Sequence, residues 1–272
     1  MLSYSVLMSV YYKEKPEYLQ QAIESIQNQT YPTDDFVLVC DGPLTSELNT
    51  IIKEKQDEMG NILNVIHIEK NSGLGKALNE GIKHCKNELV ARMDSDDIAY
   101  PERCERQIAI FKSQPKISIC SGIVEEFSSV PTIIEARRVP PETNTEIVQF
   151  AKKRNPFNHP CVMYKKSAVE AVGSYQDFYL LEDYYLWLRM LMAGYQGYNI
   201  QKPLLYMRAG SDMYKRRAGL LYAKAQQKLF KYMKTNRFIN EKDYVISCVT
   251  RYVSSLAPNW IRKVMFFKLL RK

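Results

Sequence analysis

The sequence predicts an α/β protein: a Rossmann-like, mostly parallel sheet flanked by helices, followed by a helical segment at the C-terminal end. Three observations predict it. Short apolar runs alternate with amphipathic stretches of helical period up to residue 127. Those runs end in acidic, aromatic or glycine-containing turns. From about residue 218 the pattern is wholly helical. The size fits: 272 residues, 46% hydrophobic and 25% charged, describe an ordinary globular chain with one large domain or one domain and an appendage.

Taken in order, residues 5–10 (SVLMSV) predict the first strand, and 16–29 a helix with Leu19, Ala22, Ile23 and Ile26 on one face. Residues 36–40 (FVLVC) predict a second strand and 46–59 a second helix. Residues 65–69 (VIHIE) and 75–85 form the third pair, and 89–93 (LVARM) and 101–113 the fourth. Residues 117–127 predict a fifth strand. The stretch 130–141 has three prolines and reads as a connection. Short strands are expected at 161–164 and 204–208, with a helix at 182–193 between them. Helices are expected at 218–234, 241–256 and 259–271.

Charge divides the chain. The formal net charge is +8. Residues 213–272 hold 15 Lys/Arg against two acids, Glu241 and Asp243, so they carry +13 and the first 212 residues carry −5. We therefore expect two parts, 1–212 and 213–272. A general nucleic-acid-binding surface is disfavoured, because most of the chain would repel phosphate. The N-terminal apolar stretch lacks a basic leader and breaks at Lys13, so it reads as a strand and not as an export signal. No apolar run reaches the ~18–20 residues of a spanning helix. None of the six cysteines forms a C-x-x-C pair, so reduced thiols in a cytoplasm are expected.

In an open parallel sheet, ligands bind beyond the carboxyl ends of the strands. Those ends are Tyr11-Tyr12, Asp41-Gly42-Pro43, the stretch 71–76 (NSGLGK) and Asp94-Ser95-Asp96-Asp97. Three carboxylates within four residues repel one another. Hard oxygen ligands of this kind suit Mg²⁺ or Mn²⁺ bridging to a diphosphate; a solvated turn capping the next helix is the alternative. Asp41 suits a hydrogen bond from a base N–H, although Asp-Gly-Pro is also turn chemistry. The stretch 71–76 matches neither the dinucleotide fingerprint nor the P-loop. Glu182 and Asp183 open a helix, where they suit capping or, facing the crevice, general-base work.

These pieces together resemble the bacterial family 2 glycosyltransferases, which have the nucleotide-sugar-binding A-type fold. The matching segments are 5–12 (SVLMSVYY), 25–31 (SIQNQTY), 36–42 (FVLVCDG), 71–81 (NSGLGKALNEG), 91–97 (ARMDSDD), 158–164 (NHPCVMY), 172–175 (VGSY) and 182–189 (EDYYLWLR). Each is loose alone; the ordered set is specific. Within the family the chain looks most like enzymes assembling capsule, exopolysaccharide or O-antigen units.

The resemblance implies roles residue by residue. Tyr11 and Glu14 would flank base and ribose, and Asp41 would contact a uracil-type base, with Cys40 where the family often has a further acid. Lys76 and Asn79 would lie near the nucleotide. Asp94 would meet ribose or sugar, and Asp96, with Asp94, would hold Mn²⁺ or Mg²⁺. Asp183 would be the catalytic base with Glu182 beside it. His159 would sit near the acceptor or serve as a structural histidine. Arg208 and Lys215-Arg216-Arg217 would clamp the diphosphate. The implied enzyme inverts configuration and moves a sugar from a nucleoside-diphosphate sugar, UDP favoured over GDP or dTDP, to a saccharide acceptor on a polyprenyl diphosphate. A basic tail carrying Trp260, Phe266 and Phe267 would suit an anionic cytoplasmic leaflet, as a peripheral protein. A sugar-nucleotide nucleotidyltransferase and a non-catalytic scaffold are the competing readings. The first usually needs a glycine-rich basic loop where Tyr11-Tyr12-Lys13-Glu14 stands.

Overall fold

The computed structural model describes residues 2–209 and 219–257. Its first half alternates strand and helix as expected: β1 (Tyr4–Val10), α1 (Pro16–Gln27), β2 (Asp35–Asp41), α2 (Ser46–Met59), β3 (Leu63–Ile68), α3 (Leu74–His84) and β4 (Leu89–Asp94). These four strands pair in parallel in the order β3-β2-β1-β4. Side chains alternate across the sheet. Val6, Met8 and Val10 pack under α1 and α2, whereas Leu7 packs on the other face with Ala77, Leu78 and Ile82 of α3. β1 and β2 are buried on both faces, which accounts for their nearly unbroken apolar runs.

The second half of the sheet is mixed. It comprises β5 (Ile98–Ala99), β6 (Ile117–Phe127), β7 (Ala136–Arg138), β8 (Met163–Lys165) and β9 (Gln196–Arg208). β8 lies between β4 and β6 and is antiparallel to both. β9 runs parallel to β6. The expected short strand at 204–208 is the end of this 13-residue strand. Gln201-Lys202-Pro203 hides the rest, because the register slips there opposite Gly122 and Ile123, and proline is accommodated at such irregularities.

The stretch 130–141 holds β7, whose Ala-Arg-Arg sequence has no apolar alternation. Cross-strand ion pairs of Arg137 with Glu125 (2.6 Å) and of Arg138 with Glu126 secure it. The helices α4 (Arg103–Ser113), α5 (Asn144–Ala151), α6 (Lys166–Ala171) and α7 (Glu182–Met192) complete the body. α5 escaped the periodicity reading, yet Thr143 and Glu146 form a capping box that marks its start.

The C-terminal helices α8 (Gly219–Thr235) and α9 (Glu241–Leu256) fold back on each other. Tyr252 Oη donates to Gln227 Oε1 (2.9 Å), and Lys234 pairs with Glu241 (2.8 Å) at the turn. Leu229, Phe230 and Met233 belong to the same buried cluster as the apolar residues of α3 and α7. The helix expected at 259–271 lies outside the described residues. Among the described residues, no helix is long and apolar enough to cross a membrane.

Gly81 seats α3 on the sheet. A Cβ there would fall 2.3 Å from Leu7 Cδ1 and 2.7 Å from Val39 Cγ2. Overpacking of this kind typically costs about 1–3 kcal/mol. Gly81→Val should therefore lower the urea midpoint with an unchanged slope; a wild-type midpoint would show that α3 has room to spare.

Candidate active site

The ends of β1, β2 and β4 and the start of α3 meet on one edge. Tyr11 and Tyr12 stand exposed beyond β1, edge to face with centroids 5.8 Å apart. Glu14 turns inward, and its Oε2 accepts a hydrogen bond from Ser95 Oγ at 2.6 Å. That bond ties the first loop to the acidic turn.

Asp41 is buried at the end of β2. Its Oδ1 accepts from Ser72 N (2.7 Å) and Ser72 Oγ (3.0 Å), and its Oδ2 from Gly73 N (3.0 Å). The expected base contact is thus also the anchor of the glycine-containing loop. Gly42, at φ 87°, lets that loop approach, since a Cβ would lie 2.6 Å from Asn71 N. Lys76 is exposed in the first turn of α3. Asn79, expected near a nucleotide, is engaged elsewhere: its Nδ2 donates to Tyr175 O (2.6 Å), and its Oδ1 accepts from Tyr175 N (2.8 Å). It straps the segment before α7 onto α3.

Beyond β4, carboxylate oxygens of Asp94, Asp96 and Asp97 lie within 4.8 Å of one another. Burial, with the charges of Asp94 and Glu14, pushes the half-buried Asp96 carboxyl up to about 7. Burial, with Asp96 and Asp94, pushes the enclosed Asp97 well above the carboxylate range. Asp97 Oδ1 accepts from Arg208 N (2.8 Å), while its Oδ2 has no hydrogen-bond partner among the described residues. A crowded oxygen-only donor set with an unpartnered buried oxygen fits a hard divalent cation.

Arg208 ends β9 beside this turn. Its Nε donates to Asp96 O (3.1 Å) and its Nη2 to Gln21 Oε1 (2.9 Å). Its guanidinium lies 3.7 Å from the Tyr18 ring centroid and 4.6 Å from that of Phe127. It is held firmly against the acidic turn. Lys215, Arg216 and Arg217, its expected partners in clamping a diphosphate, lie outside the described residues.

The second acidic centre is the first turn of α7. Asp183 Oδ2 accepts from Asn155 Nδ2 and its Oδ1 from Tyr184 N, both at 2.7 Å. Burial, with the Asp183 charge, pushes the neighbouring Glu182 carboxyl up to about 7. His159 is buried with its Nε2 2.9 Å from Tyr175 Oη, and its ring lies against Trp187. Burial and the nearby Arg92 charge hold its pKa well below the ordinary value, so it stays neutral. That arrangement matches the structural-histidine alternative.

Arg92 is the residue that motif reading passed over. It is 1% exposed on β4 and pairs through Nη2 with Asp94 Oδ1. Its Nε and Nη1 have no hydrogen-bond partner among the described residues. Its charge also acts on Asp97, His159 and Glu182, and so couples the acidic turn electrostatically to α7. The available signal was a lone arginine inside an apolar strand, where a charge has to be paired. The bonds of Asn155 and Tyr175 carry no local signal, because their partners are distant in sequence.

Comparison with known proteins shows the family and the fold. The model of glycosyl transferase family 2 matches residues 5–173. The amylovoran biosynthesis glycosyltransferase AmsE of Erwinia amylovora is 39% identical over 268 residues, covering 97% of this chain and 98% of that protein. The UDP-Gal:alpha-D-GlcNAc-diphosphoundecaprenol beta-1,3-galactosyltransferase of Escherichia coli is 38% identical over 271 residues, covering 99% and 97%. The mannosyltransferase PcManGT of Pyrobaculum calidifontis, solved with GDP-Man and Mn²⁺, superposes with a TM-score of 0.65 over 97% of this chain and 81% of its own, at 14% identity, and so shares the fold.

The raised Asp96 carboxyl has a measurable consequence. The folded state holds that proton more tightly than the unfolded chain, so stability falls as pH rises from the ordinary carboxylate range to about 7. In chelator, Asp96→Asn should raise the melting temperature at pH 8, by about 2–4 °C if one kcal/mol of repulsion is relieved. The difference should vanish toward pH 4. A less stable variant at pH 8 would refute the crowding argument.

Proposed function

The chain belongs to glycosyl transferase family 2, and we propose that it moves a sugar from a UDP-sugar to a hydroxyl of a polyprenyl-diphosphate-linked saccharide, at the cytoplasmic face of a membrane, during surface-polysaccharide assembly. It is a transferase; the family membership displaces both the nucleotidyltransferase and the scaffold readings. The observation that carries the proposal is the presence of two acidic centres that both feel the Arg92 charge, one suited to a cation and one suited to a base. The donor and acceptor classes are supported by the full-length likeness to an enzyme named for UDP-Gal and a diphosphoundecaprenol-linked sugar. The amylovoran enzyme supports the polysaccharide role.

In this reading Tyr11 and Glu14 border the base and ribose, and Asp41 presents the Ser72–Gly73 loop to them. Lys76 stands at the mouth beside the diphosphate, and Asp94 meets ribose or sugar. Asp96, with Asp94 and Asp97 around it, would hold Mn²⁺ or Mg²⁺. A cation there would supply charge neutralisation for the departing nucleoside diphosphate. Asp183, oriented by Asn155, takes the proton of the acceptor hydroxyl. The hydroxyl oxygen bonds to the anomeric carbon from the face opposite the diphosphate, whose oxygen leaves with the bonding electrons, and configuration inverts. Residues 1–212 are the donor-binding and catalytic part, and the basic segment 213–272 contributes α8 and α9 beside it.

Glu182 is the second candidate base, since a carboxyl near pH 7 is well matched to proton abstraction there. Paired variants separate the two. Asp183→Asn should lower kcat by about 10²–10⁴ with donor affinity kept within a few-fold, and Glu182→Gln should do less. The reverse ranking would move the base to Glu182.

The donor and metal are tested by thermal shift with UDP, GDP and dTDP, with and without Mn²⁺. Stabilisation by UDP that needs Mn²⁺ and disappears in Asp96→Asn is expected. A metal-independent or GDP-specific response would overturn the corresponding assignment.

A further inference from the structure

The C-terminal hairpin leaves one face uncovered. Val245, Ile246, Val249, Val253 and Leu256 of α9 are 49–61% exposed, and their spacing puts them on one side of the helix. Leu220 and Leu221, at the start of α8, are 50% and 60% exposed. The pairing of Gln227 with Tyr252 and of Lys234 with Glu241 runs the helices antiparallel, which brings those leucines to the end of α9 that carries Val253 and Leu256. Scattered exposed apolar residues need no explanation; a continuous face of them marks an interaction surface.

Charge identifies what it meets. Residues 244–272 contain no acid. The two stretches adjoining the apolar end of the hairpin, 210–218 and 258–272, together hold eight Lys/Arg against one acid, Asp212. An apolar helix face flanked by cationic chain suits the boundary of an anionic bilayer, with side chains entering the acyl region while ammonium and guanidinium groups meet headgroup phosphates.

We propose that α9 lies in the plane of an anionic membrane with this apolar face inserted. The proposal gives the lipid-linked acceptor reading its docking surface and rests on that reading for its purpose. The hairpin is joined to the acceptor side of the site. Arg251 Nη2 donates to Lys153 O (2.6 Å), two residues before the Asn155 that holds Asp183, and Tyr232 meets Tyr185 of α7 with centroids 4.8 Å apart. A docked α9 therefore keeps the proposed base close to the lipid surface.

The test is flotation of the full chain with phosphatidylglycerol–phosphatidylcholine vesicles and with phosphatidylcholine alone. The wild type should float with the anionic vesicles, and Val249→Glu with Val253→Glu should reduce that fraction about tenfold or more. Melting temperature and transfer to a short soluble saccharide should be unchanged. Should the double variant fold poorly, Ile246→Ser supplies the same comparison with a smaller expected loss. Wild-type flotation by the variants would overturn the proposal. So would a wild-type dimer that the variants dissociate without vesicle binding, which would give the face to a second copy. Stronger binding after deletion of 258–272 would assign the face to the chain's own C-terminal segment. Flotation uses no acceptor, so membrane binding without use of a lipid-linked acceptor would overturn the functional reading alone.

Discussion

The site depends on one buried cation. Arg92 sits in a strand otherwise suited to the core, and removing its charge from water is justified only by the acids around it. It compensates Asp94 directly and lowers the cost of charge on Glu182 and Asp97. Without it the two acidic centres would be unscreened neighbours in a half-buried crevice. With it part of that negative charge is compensated, and the crowding that remains falls on Asp96, whose carboxyl holds its proton beside Asp94 and Glu14. Arg103 holds the strand beneath, donating to the carbonyl of Arg92 at 2.6 Å.

The parallel half of the sheet was legible because its strands are buried on both faces and its helices are amphipathic. The four apolar positions named for the first helix are the four that α1 buries. The acidic turn was legible because three carboxylates at a strand end have few explanations. The mixed half was less so. β7 is held by ion pairs, β9 is interrupted by proline, and β8 is three residues long, so none presents the alternation that marks a strand.

The site residues divide in the same way. Their positions along the chain follow from where the strands end, but their partners do not. Nothing local shows that the Asp41 carboxylate seats Ser72 and Gly73, or that both polar atoms of Asn79 bind the Tyr175 backbone. His159 likewise reads as a polar residue beside a proline, and only packing reveals that it lies under Trp187. These bonds join residues about 16 to 96 positions apart, beyond the reach of any window-based argument.

The way β9 ends and α8 begins makes the chain divisible. Arg208 is fastened by its amide to Asp97 and by its guanidinium between two rings, while α8 contributes Leu229, Phe230 and Met233 to the buried cluster it shares with α7. Each side of residues 210–218 is thus anchored without the peptide linkage between them. Two separately expressed halves, cut there, have the surfaces needed to reassemble by complementation. Reassembly would then report on the seating of the α8–α9 hairpin, because the residues of the acidic turn and the α7 acid pair belong to the first half.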